Sequence, residues 1–92
     1  MEGNAAHHVD YNRLVAANIR RQRKRAGLTQ EQAAHAADLS PQHLSKIERC
    51  TCSPTVSTVV KLAACLGVEP AALFEPCDLE SCVYIYTDIL AE

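Results

Sequence analysis

Between Asp10 and Phe74, apolar residues recur every three or four positions in short runs separated by polar or glycine-marked breaks. In the first run Leu14, Val15, Asn18, Ile19 and Gln22 form a mostly apolar stripe, which predicts a helix from about Tyr11 to Ala26. Asp10 is placed to cap its start and Gly27 to stop it. Thr29 with Gln32 makes a capping-box pattern for a second helix ending near Ala37. Its face of Ala33, Ala34 and Ala37 is small enough for another helix to pack close. Asp38 and Leu39 read as a tight turn. Ser40 then serves as an N-cap and Pro41 as the first residue of a third helix, running to about Arg49 with Leu44 and Ile47 inward. "CTCSP" reads as a loop. Thr55 caps a fourth helix to about Leu66, with Val56, Val59, Val60, Ala63 and Leu66 predicted inward and Gly67 closing it. Pro70 opens a final short helix, "PAALF". The expected fold class is therefore all-α, a five-helix bundle.

Beyond Pro76 the pattern changes. "SCVYIYTDIL" is rich in β-branched and aromatic residues, so Cys82 to Ile89 reads as a strand. A single strand needs a partner, and nothing else in the chain resembles one. The same strand in a second subunit would serve, which makes Val83, Tyr84, Ile85 and Tyr86 the candidate dimerisation residues. The other reading is a non-β segment that packs on the bundle or stays loose. The expected organisation is a loose N-terminus (1–9), a helical domain (10–75) and a dimerisation tail (76–92).

Charge adds a direction to this picture. The net charge is −2, but residues 1–61 carry all nine Lys/Arg against five acids, while residues 62–92 carry six acids and no Lys/Arg. A basic working half and an acidic tail follow. The densest run, "RRQRKR" from Arg20 to Arg25, suits either a solvated helix face or contact with a polyanion. Apolar residues make up 48% of the chain, enough for a core that must be mainly aliphatic given one Phe and no Trp. No apolar run approaches the roughly 20 residues of a membrane span. "MEGNAAHHVD" lacks the form of a secretion signal, so a cytoplasmic location with no membrane partner is expected.

On the third helix Gln42, Ser45, Lys46 and Arg49 stand at i, i+3, i+4 and i+7 and share the outer face. Amide and cationic side chains at that spacing can pair with base edges, and serine with bases or phosphates. The same pattern also describes the wet face of any surface helix. A short helix, a turn and a second short helix, all in the basic half, favour DNA. Such an arrangement sets the start of the second helix deepest in a major groove, which singles out Gln42, with Ser45 and Lys46 behind it and Pro41 able to touch a thymine methyl. Arg13, Arg20, Arg21, Lys24 and Arg49 would meet phosphates.

The stretch Ile19 to Phe74, about 60% of the chain, resembles the phage-repressor (Cro/CI-like, XRE) helix–turn–helix family. "GLTQEQAA", "LSPQHLSKIE" and "KLAACLGV" carry the likeness in combination. The resemblance implies a five-helix lambda-repressor-like domain, dimeric on double-stranded palindromic DNA, acting as a transcriptional repressor or autoregulator. Gln30 would touch phosphate and brace the reading helix. Gln42, Lys46 and Pro41 match base-contacting positions, and the full candidate set is Arg20, Gln30, Ser40, Pro41, Gln42, His43, Ser45, Lys46 and Arg49. Arg23 and Glu48 match an ion pair joining the first helix to the third. The sequence departs from the family at Gln22 (usually apolar), Ala33 (usually leucine), Asp38 and Cys50 (both commonly glycine). Family members of this size include controller proteins, small repressors and antitoxins, the last implying a toxin as a further protein partner.

Five cysteines leave three readings open: free thiols, a redox or soft-metal switch, or an intersubunit disulfide near the tail. Cys50 and Cys52 adjoin the third helix, and Cys77 and Cys82 flank the tail turn; none shows the C-x₂-C spacing of common zinc sites. No metal and no cofactor is expected. A Ser/His/Asp set, a glycine-rich phosphate loop and paired carboxylates are all lacking, so an enzyme is not expected. The alternatives to a simple DNA-binding regulator are a thiol- or metal-responsive one working through Cys50 and Cys52, and a protein-interaction adaptor that has lost DNA binding.

Overall fold

A computed structural model describes residues 10–76. Four α-helices follow one another: α1 (Tyr11–Arg25), α2 (Gln30–Ala36), α3 (Pro41–Glu48) and α4 (Val56–Leu66). A 3₁₀ helix, Pro70–Phe74, closes the bundle. No strand occurs among the described residues. The segment read as a strand, with Val83, Tyr84, Ile85, Tyr86 and the cysteines Cys77 and Cys82, lies outside them. Among the described residues no helix is long and apolar enough to cross a membrane.

Each α-helix starts on a side chain that satisfies its first free amides. The Asp10 carboxylate accepts from the N–H groups of Asn12 and Arg13 at 3.1 and 3.3 Å. Thr29 Oγ1 accepts from Gln32 N at 3.0 Å while Gln32 Oε1 accepts from Thr29 N at 2.9 Å, a complete capping box. Ser40 Oγ accepts from His43 N, and Thr55 Oγ1 from Thr58 N. Such caps are worth about 1 kcal/mol each. At the C-terminus of α4, Gly67 takes the left-handed conformation at φ 74°. Two non-glycine residues do the same, Asp38 at φ 61° and Cys50 at φ 62°. Asp tolerates that region better than most side chains; cysteine has no such excuse.

Ile19, Leu44, Ile47, Leu62 and Leu73, one or two from each of α1, α3, α4 and the 3₁₀ helix, are buried to below 2% exposure. Ala33, Ala34 and Ala37 fill the α2 side of the same core. With only methyl groups there, α2 lies close against its neighbours. On α4 the buried set is Thr58, Val59, Leu62, Ala63 and Leu66. This corrects the expected inward face, because Val56 is 82% and Val60 47% exposed. Leu62 and Leu66 centre the stripe, and Val60, two residues from Leu62, points about 200° away.

Asn18 sits fully buried in the α1 stripe. Its Nδ2 donates to the carbonyls of Leu73 (2.9 Å) and Glu75 (2.7 Å), and its Oδ1 accepts from Arg21 Nη2 at 2.9 Å. A buried amide is tolerated only when bonded in this way. Here it ties the closing 3₁₀ turn to α1, while Leu73 anchors the same turn in the core.

Cys50→Gly should relieve the left-handed strain at the end of α3 and raise stability by about 0.5–1 kcal/mol, read from urea unfolding. Unchanged or lower stability would show that the cysteine side chain makes up for its backbone.

Candidate nucleic-acid interface

The α2–α3 connection is short and fully bonded. Leu39 N donates to Ala34 O at 2.8 Å and Asp38 N to His35 O at 3.1 Å, with Asp38 supplying the left-handed step. These bonds set the angle at which α3 leaves α2. Leu44 and Ile47 then turn one side of α3 into the core, so the opposite side must face solvent. Gln42, Lys46 and Arg49 are exposed there and Ser45 is half-buried.

An open cleft of about 390 Å³ runs between the two helices, lined by Gln30, Glu31, Pro41, Gln42, Ser45, Lys46 and Arg49. It gathers six of the nine candidate residues: Gln30, Pro41, Gln42, Ser45, Lys46 and Arg49. Ser40 lies at the start of α3 with its hydroxyl oxygen engaged as the cap, and His43 is half-buried on the helix flank. Arg20 is elsewhere. It lines a separate recess of about 260 Å³ with Arg13, Ala16, Ala17, Glu48, Arg49 and Cys50. Arg49 is common to both.

Behind the cleft three helices meet in one charged network. Arg23 Nε donates to Glu48 Oε2 at 2.8 Å and Arg23 Nη2 to Glu48 Oε1 at 3.0 Å, a two-pronged pair with side chains 11% and 2% exposed. Arg23 Nη1 also donates to Leu28 O at 2.9 Å. Gln30 Nε2 donates to Glu48 Oε1 at 3.0 Å, which holds the first residue of α2 against the last residue of α3. The run Arg20 to Arg25 is therefore divided in purpose: Arg23 is spent on Glu48 and Arg21 on Asn18, leaving Arg20, Lys24 and Arg25 exposed.

Cys50, Cys52 and Cys65 are free and half-buried. Burial pushes the Cys50 thiol up, the negative charge of Asp10 adds to this, and Arg13 opposes it. Cys65 is also raised by burial, and its thiol donates to Ala33 O at 3.6 Å. Thiols shifted upward stay protonated at neutral pH, the reverse of the low-pKa thiolates that respond fastest to oxidants. Among the described residues no three His, Cys, Asp or Glu side chains group to hold a metal. Two features were not foreseen in the sequence: the Asn18 clamp and the presence of Glu31 in the cleft. The signal for Glu31 was its place beside Gln30 in the first turn of α2.

Comparison with known proteins gives the same picture. A family profile described as helix-turn-helix matches residues 19–73. An uncharacterised HTH-type transcriptional regulator of Sinorhizobium fredii is 41% identical over 70 residues, 76% of this chain and 91% of that protein. The immunity repressor of Bacillus phage phi105 is 39% identical over 59 residues, 64% of this chain but only 41% of the repressor. Among solved structures, a hypothetical transcription factor from Neisseria matches at TM-score 0.71 and 33% identity, covering 73% of this chain and 77% of that one. The restriction-modification controller protein of Aeromonas hydrophila matches at TM-score 0.67 and 28% identity, covering 68% and 96%.

Arg23→Met should strand a buried carboxylate on Glu48 and cost about 3–5 kcal/mol in denaturant unfolding. Adding Glu48→Leu to that variant should restore much of the loss. If the double variant is as unstable as the single one, the charge was not the cause.

Proposed function

The chain belongs to the helix-turn-helix family of DNA-binding transcriptional regulators, and on that footing we propose that it acts as a homodimer on a palindromic operator, as a repressor or autoregulator. The observation that carries this is the outer face of α3. Its polar side chains line an open cleft with the start of α2, while its inner face is locked into the core. Each subunit would set α3 in a major groove, with Gln42 and Lys46 on base edges, Ser45 and Pro41 beside them, and Ser40 and His43 at the helix entrance. Gln30, Arg20 and Arg49 would meet phosphates. The two half-sites would lie about one helical turn apart.

Residues 10–75 would carry DNA binding and residues 76–92 the dimer contact, through Val83 to Tyr86. The similarity to a phage immunity repressor supports the repressor role, and that to a restriction-modification controller protein a regulatory one. The protein would work where the DNA is, in the cytoplasm.

Fluorescence anisotropy on DNA upstream of its own gene tests the proposal. Affinity should fall with salt at a slope of about −0.9 per phosphate neutralised, and Arg49→Ala should flatten that slope by about one. Gln42→Ala should lose about 1–3 kcal/mol of discrimination at one base pair per half-site. Binding no tighter than to random DNA would point instead to an interaction adaptor; an unaltered base preference in Gln42→Ala would remove Gln42 from the reading set.

A further inference from the structure

Glu31 follows Gln30 in the first turn of α2 and is the one acid lining the cleft with Pro41, Gln42, Ser45 and Lys46. Glu48, the carboxylate at the end of α3, has both oxygens engaged by Arg23 and Gln30. Glu31 is different: it is exposed and has no hydrogen-bond or ion-pair partner among the described residues. A bare carboxylate is awkward on a face that approaches a polyanion, because it repels phosphate whatever the sequence. An acid in a first helical turn does favour the helix dipole, but any exposed first-turn position off the cleft would serve that purpose.

What sets this side chain apart from its neighbours in the cleft is its hydrogen-bonding character. A carboxylate only accepts. In the major groove guanine offers acceptors, thymine an acceptor and a methyl, adenine an acceptor beside a donor, and cytosine a donor alone, its N4 amino group. We propose that Glu31 selects bases: with α3 in the groove its carboxylate accepts from the N4 amino group of a cytosine and repels the acceptors of guanine in its place. Because Glu31 lines the same cleft as Gln42 and Pro41, that cytosine would belong to the half-site that Gln42 reads. The inference rests on the reading above, in which the α3 cleft faces the major groove.

The test begins with a half-site selected from a random DNA library by the wild type. Every base pair of that site is then varied and competed against wild type, Glu31→Gln and Glu31→Ala, with thermal unfolding of each protein alongside. The wild type should prefer cytosine at one position by about tenfold, and both variants should bring that preference to about twofold or less while keeping the others. Variants that keep the cytosine preference overturn the proposal. So do variants that bind all sequences more tightly by one common factor, the mark of an acid that only repels phosphate. Earlier melting with unaltered preferences would confine Glu31 to the helix dipole and overturn it too. A wild type that selects no sequence, and is indifferent to Gln42→Ala, would bring down the groove reading itself along with this one.

Discussion

The architecture turns on the contact among Arg23, Glu48 and Gln30. It joins the end of α1, the start of α2 and the end of α3 at one place on the edge of their shared core. A carboxylate and a guanidinium taken out of water lose hydration, and their attraction offsets that loss only when geometry is good and remaining hydrogen-bonding sites are filled. Both conditions hold. The planar fork of Arg23 meets both oxygens of Glu48, a third arginine nitrogen is used by Leu28 O, and Gln30 fills a further acceptor site. Such a contact does little for net stability, yet it permits few orientations. That restriction is what a helix needs if its exposed face is to be presented at a fixed angle.

Around this point the core does quieter work. The methyl side chains of α2 let the helix lie close to its partners, and Leu44 and Ile47 seat α3 on it. At the far end, Asn18 substitutes for an apolar residue in the α1 stripe. It is accommodated because two backbone carbonyls of the closing turn need donors there. Among the described residues, the two most deeply buried polar side chains, Asn18 and Glu48, each fasten one segment to another.

Helix limits were readable from the sequence because each α-helix is announced by a capping side chain and most ends by glycine or a turn: Asp10, Thr29, Ser40 and Thr55, with Gly27 and Gly67. The outer face of α3 followed from helical spacing once Leu44 and Ile47 were turned inward. The α4 face was less legible: a row of valines at plausible spacing suggests an inward stripe, but Leu62 and Thr58 are buried where Val56 and Val60 are exposed. Cys50 could be seen as a departure from family glycine, but its left-handed backbone is visible only in the structure. Neither periodicity nor composition could show that Glu31 joins the α3 residues in one cleft. That depends on the angle between α2 and α3, which a four-residue turn and a distant ion pair decide together. Gln30 was named through family resemblance for the same reason.

The eight residues of α3 divide sharply by side. Leu44, Ile47 and Glu48 are committed to the interior, whereas the side chains of Pro41, Gln42 and Lys46 are exposed to solvent. Substitutions on the outer side can therefore accumulate without eroding the domain, and those on the inner side cannot. A scaffold built this way is evolvable in a particular sense: descendants can exchange one recognition surface for another through a few point mutations, each passing through a folded intermediate, while the support beneath remains inherited intact.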